Sequence, residues 1–127
     1  MSRILKTGNG WRLGWDAAAP EFKGLVGGND WAIELTEEEW NDFRRLSDQL
    51  HEALQQIAQE LMDEERIACE LESDRVWLEA EGFPDAYSLR LIVQTGRRAE
   101  GYWENALELR QALNTLPLGT AELTGGF

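Results

Sequence analysis

The stretch Gly27–Trp40, GGNDWAIELTEEEW, decides how the rest of the chain is read, because it hands a strand to a helix. Gly27-Gly28-Asn29-Asp30 has the residue types of a turn. In WAIEL, Trp31, Ile33 and Leu35 alternate with Ala32 and Glu34, the period of a strand with one buried face. Thr36 and Glu39 then spell T-x-x-E, a capping box: the hydroxyl accepts the N–H three residues on, and the glutamate reaches back to the threonine N–H. Leu35 and Trp40 occupy the two positions of a hydrophobic staple, and Glu37, Glu38 and Glu39 stand where the helix dipole favours negative charge. A helix therefore starts at Glu37, and Thr36→Ala is expected to cost about 1 kcal/mol.

Downstream, Trp40, Phe43, Leu46, Leu50, Leu54, Ile57 and Leu61 recur at spacings of three and four, one apolar stripe of a long helix. Upstream, Trp11, Leu13 and Trp15 alternate along WRLGW, with RILKT as partner across Gly8-Asn9-Gly10 and FKGLV (Phe22 to Val26) as a poorer third strand. Trp31, Ile33, Leu35, Trp40, Phe43, Leu46 and Leu50 are expected in one core. After Glu65 the period returns to two. IACELE, RVWLEAE and YSLRLIVQT read as successive strands, turning at Ser73-Asp74 and at Gly82-Phe83-Pro84-Asp85; EGYW follows as a fourth. From Glu104 the pattern is helical, with Ala106, Leu109, Leu113 and Leu116 on one face and Pro117 as the stop.

The order is four strands and a helix, used twice. This predicts an α+β fold of antiparallel four-strand-plus-helix units (β4-α-β4-α), each sheet laying its apolar face on its own helix. Residues 1–116 form one domain, and 117–127 read as a frayed tail.

Of 127 residues, 24 are Asp or Glu against 12 Lys or Arg, a formal net charge of -12. That balance repels polyanions at long range and makes nucleic acid an unexpected partner. The start, MSRILKTGNGW, has no apolar core for a leader, and no run approaches the ~20 apolar residues that cross a bilayer, so a cytoplasmic protein is expected. One cysteine, Cys69, shares a face with Ile67 and Leu71 and reads as a buried structural thiol. His51, the only histidine, lies beside the helix stripe without ligands at metal spacing. The glycines at 27 and 28 precede a strand and match neither a dinucleotide fingerprint nor a P-loop, and Asp63, Asp74 and Asp85 do not follow a calcium-loop spacing. No cofactor, metal or catalytic residue is assigned, and an enzyme is not expected.

The segments GNGWRLGWD, VGGNDWAIELTEEEWNDF and WLEAEGFPDAYSLRLI resemble a family of small cyanobacterial proteins without an established activity, over most of the chain up to about Leu116. That resemblance implies the Whirly-like fold of the single-stranded-DNA-binding transcriptional regulators, and it implies pairing into a homodimer. It brings no functional residues with it. A protein that tracks a single strand needs a basic groove and aromatic faces. Here the aromatics exist, but between Glu60 and Asp85 ten acidic residues face only Arg66 and Arg75, and the chain's only lysines are Lys6 and Lys23. Arg90, Arg97 and Arg98 are the one candidate basic patch, with pairing to neighbouring carboxylates as the alternative.

The other candidate surface lies on the second set of strands. A two-residue turn at Ser73-Asp74 sets Glu72 opposite Arg75 and Glu70 opposite Trp77; the next hairpin sets Trp77 opposite Ile92 and Glu79 opposite Arg90. Val76, Leu78, Leu89, Leu91 and Val93 then point inward, leaving Trp77 and Ile92 outside among Glu70, Glu72 and Glu79. An apolar anchor with an acidic rim suits a basic or amphipathic protein partner. A helix or a sister subunit over the pair, or Trp77 as a lone surface aromatic, are the alternatives.

Overall fold

The computed structural model describes residues 3–60, 65–96 and 98–116. The capping box forms as the sequence requires: Glu39 N–H donates to Thr36 Oγ1 at 3.2 Å and Thr36 N–H to Glu39 Oε1 at 2.9 Å. Helix α1 runs from there over Glu37–Glu60. Ahead of it come β1 (Arg3–Gly8), β2 (Trp11–Asp16), β3 (Gly24–Gly27) and β4 (Ala32–Leu35), an antiparallel sheet in chain order. Behind it come β5 (Ile67–Glu72), β6 (Val76–Phe83), β7 (Ala86–Val93) and β8 (Ala99–Trp103), a second sheet in chain order, then α2 (Leu107–Leu113). The α+β class and the doubled order hold. Leu61 and Pro117, read as the last stripe residue and the stop, and the tail 117–127 lie outside the described residues.

The expectation that each sheet packs on its own helix is overturned. Helix α1 lies mainly on β5 and β6 of the second sheet, while α2 lies on β2 and β1 of the first. The first sheet's inner face, with Trp11, Leu13 and Trp15, is therefore completed by Leu109 and Leu113 from the far end of the chain, and Trp11 Nε1 donates to Glu108 Oε1 at 3.1 Å. Apolar periodicity fixes which face is buried, but it carries no information about which helix covers it.

One continuous core results; of the residues expected in it, Ile33, Leu35, Trp40, Phe43, Leu46 and Leu50 are buried there, and Trp31 packs at its margin. Indoles join its parts. Trp15 meets Trp40 at 5.3 Å between ring centroids, Trp31 meets Trp103 at 5.0 Å and Phe43 meets Trp103 at 5.8 Å. Trp40 fits against β3 because Gly24 has no side chain; a Cβ there would sit 2.5 Å from its ring. Gly101 does the same for Trp31 on β8, at 2.3 Å. Of the chain's tryptophans only Trp77 is outside this core and its margin. Cys69 is half-buried and packs against the core, and its burial pushes the thiol pKa up. No described helix is long and apolar enough to cross a membrane.

Candidate functional site

The outer face of the second sheet is built by parity. On β5 to β8 the inward residues Ile67, Val76, Leu78, Ala80, Leu89, Leu91, Val93 and Trp103 are buried, so their chain neighbours face out. Two rows cross the sheet: Glu72, Trp77, Ile92, Glu100, and beside it Glu70, Glu79, Arg90, Tyr102. Both described helices contact other surfaces or the inner side, which leaves these rows uncovered by any described helix.

The β6–β7 register is the expected one, with Trp77 opposite Ile92 and Glu79 opposite Arg90. The β5–β6 register is not. Glu72 lies opposite Trp77 and Glu70 opposite Glu79, a shift of two residues from the pairing a two-residue turn would give. Ser73 is the cause. Its Oγ accepts the N–H groups of Arg75 at 3.2 Å and Val76 at 3.1 Å and donates to Asp42 Oδ2 on α1 at 2.7 Å, so the reversal takes in Ser73 to Val76. Arg75, expected in the strand opposite Glu72, instead bridges Asp42 and Glu38 at 3.4 and 3.2 Å. A shift of two preserves faces, so the outward set survives while its neighbours change.

The change matters chemically. Ser73 N–H donates to Val76 O at 2.8 Å, making that the hydrogen-bonded pair; by alternation Glu70 and Glu79 form a non-hydrogen-bonded pair, the class whose side chains approach most closely. Two like charges directly opposite each other oppose sheet stability. Arg90, next in the row, has its guanidinium 5.9 Å from the centroid of the Tyr102 ring. Trp77 and Ile92, partners across β6 and β7, are half-buried, and neither packs against the core. The most exposed large apolar residue of the face is Tyr102, at 50%. The signal for it in the sequence is the alternation continued into EGYW, where Glu100 and Tyr102 fall on the same side as Trp77. Trp31, Arg90, Glu100, Gly101 and Tyr102 line a shallow recess of about 290 Å³ at this edge.

Of the candidate basic patch, the described residues Arg90 and Arg98 do not share a row. Arg90 sits opposite Tyr102, whereas Arg98 precedes β8 at a left-handed φ of 46°, four residues and so about 13 Å along the strand direction from that row. Arg97 lies outside the described residues.

Fold and face together define a small α+β protein of two antiparallel sheets, with an acidic outer sheet surface bearing aromatic side chains. The chain belongs to the family described as Domain of unknown function (DUF1818), whose model matches residues 6–116. It is similar to a protein of unknown function from Prochlorococcus sp. NATL2A, described as a member of the DUF155 family, whose crystal structure aligns with a TM-score of 0.80 at 31% identity, covering 88% of this chain and 97% of that one. No curated protein matches.

Proposed function

We propose that this chain is a non-enzymatic cytoplasmic interaction or assembly module, whose binding surface is the outer face of the second sheet. The observation that supports this reading is the Glu70–Glu79 pair beside Trp77 and Ile92. A solvated face gains nothing from opposed carboxylates, whereas a lysine or arginine of a basic or amphipathic partner neutralises both and lays its aliphatic stem on the indole. Kinship with the Whirly-like single-stranded-DNA-binding regulators, implied by the sequence resemblance, supplies the alternative occupant, with Arg90 and Tyr102 as its one stacking element.

Two substitutions separate a binding face from a merely solvated one. Glu79→Gln relieves the repulsion and is expected to raise unfolding stability by about 0.2–1 kcal/mol, while weakening capture of the partner in an affinity pulldown from the native cell. Trp77→Ala is expected to abolish that capture with little change in melting temperature. If both variants retain every protein captured by the wild type, the reading fails. Anisotropy titration with single-stranded oligonucleotides tests the alternative: micromolar affinity that falls steeply with salt reverses the assignment.

A further inference from the structure

Each sheet has two edges, and the four edges differ in what they meet. Strands β4 and β8 lie against each other, with Trp31 and Trp103 in contact at that junction. Strands β1 and β5 are the remaining edges, and no described strand pairs with their outer sides. These two edges are opposite in charge. Strand β1 carries Arg3 and Lys6 and no acid, while β5 carries Glu70 and Glu72 and no base. The β1 edge also exposes Leu5 at 68% and Ile4.

Their backbone groups match as well. The turn Asn9-Gly10 closes β1 and β2 on the pair Gly8 and Trp11, so alternation turns the N–H and C=O groups of Ile4, Lys6 and Gly8 toward β2 and those of Arg3, Leu5 and Thr7 outward. On β5 the hydrogen-bonded pair at Ser73 and Val76 leaves Ala68, Glu70 and Glu72 directed outward in the same way.

We infer that a second copy of this chain docks edge to edge, β1 of one copy antiparallel to β5 of the next. Arg3 then lies opposite Glu72, Leu5 opposite Glu70 and Thr7 opposite Ala68, which pairs the outward backbone groups of both strands. On the inner side Ile4 meets Leu71. Of the symmetric alternatives, β5 on β5 opposes Glu70 to its own copy and β1 on β1 brings together two edges of the same positive sign, so charge favours the unlike pair. Because the two edges are different surfaces, the contact is head-to-tail, and it continues into rings or open chains unless the rotation closes it at once. This inference is separate from the partner reading above: it uses the edge of β5, whereas that reading uses the face centred on Trp77.

The test is the mass of the full chain by analytical ultracentrifugation, at increasing concentration in low and high salt. Wild type is expected to associate as concentration rises; salt screens the Arg3–Glu72 attraction and the repulsion between two chains of net charge -12 alike, so the charge-reversal variants carry the test. Arg3→Glu and Glu72→Arg, both at exposed positions, are each expected to weaken association about tenfold or more, and the double variant R3E/E72R is expected to restore it. Leu5→Pro, which removes an outward N–H that β2 does not use, is expected to abolish it. Trp77→Ala is expected to leave association unchanged, which keeps this test distinct from the partner test. A wild type that stays monomeric at every concentration in both low and high salt overturns the inference, as do single reversals that associate like wild type or a double variant that is not rescued.

Discussion

Glu39 shows how much one side chain does at the start of α1. It is only 3% exposed, accepts the Thr36 N–H through one oxygen and accepts the Thr95 hydroxyl through the other at 2.7 Å. The sequence shows the first contact, because its partner is three residues away. It does not show the second, which comes from the β7–β8 turn 56 residues later. Thr36→Ala removes one acceptor at the helix end, so its expected cost stays near 1 kcal/mol. Glu39→Ala strands the Thr36 N–H and the Thr95 hydroxyl together, and is expected to cost clearly more than Thr36→Ala in urea unfolding. Equal costs would mean that the Thr95 contact contributes nothing to the fold.

Among elements, the crossing of α1, β7 and α2 is held by polar groups. Arg110 on α2 donates to Asp48 on α1 at 3.0 Å, Asn114 donates to the same Asp48 oxygen at 2.8 Å, and Ala106 N–H donates to Tyr87 O at 2.9 Å. Tyr87 Oη lies 3.3 Å from His51 Nδ1. Burial raises the Tyr87 pKa from 10.0 to about 12, against the opposing effect of Arg110, and burial with Arg110 lowers that of His51. Both shifts favour a neutral phenol donating to a neutral imidazole. A phenol whose pKa is higher folded than unfolded stabilises fully below pH 10 and loses that contribution as pH climbs toward 12. The stability difference between wild type and Tyr87→Phe is thus expected to be level below pH 10 and to fall between pH 10 and 12; a level difference across that window contradicts the buried-phenol account. His51 reads from sequence only as a residue beside the stripe, because its partner comes from β7, which the stripe does not mark. The same limit governs the β5–β6 turn, where Ser73 answers to Asp42 on α1 rather than to its neighbours.

For the whole molecule, strand order, face parity and both helices are legible because each rests on contacts within a few residues. The exchange of helices between the sheets is not, since either helix has an apolar stripe able to fill either layer. That exchange is expected to make each half of the chain depend on the other. Residues 1–64 and 65–127, produced separately, are each expected to lack a cooperative thermal transition, and mixing them is expected to restore one; a half that melts cooperatively alone contradicts the packing described. The exchange also has a consequence during synthesis. Strands β1 to β4 leave the ribosome first, yet α2, which packs on β2 and β1 and gives Trp11 its Glu108 partner, is the last described element to be made. Until it emerges, an apolar sheet surface is open to water with long-range contacts still unmade, so this chain combines high contact order with an aggregation-prone nascent state that chaperones are suited to hold.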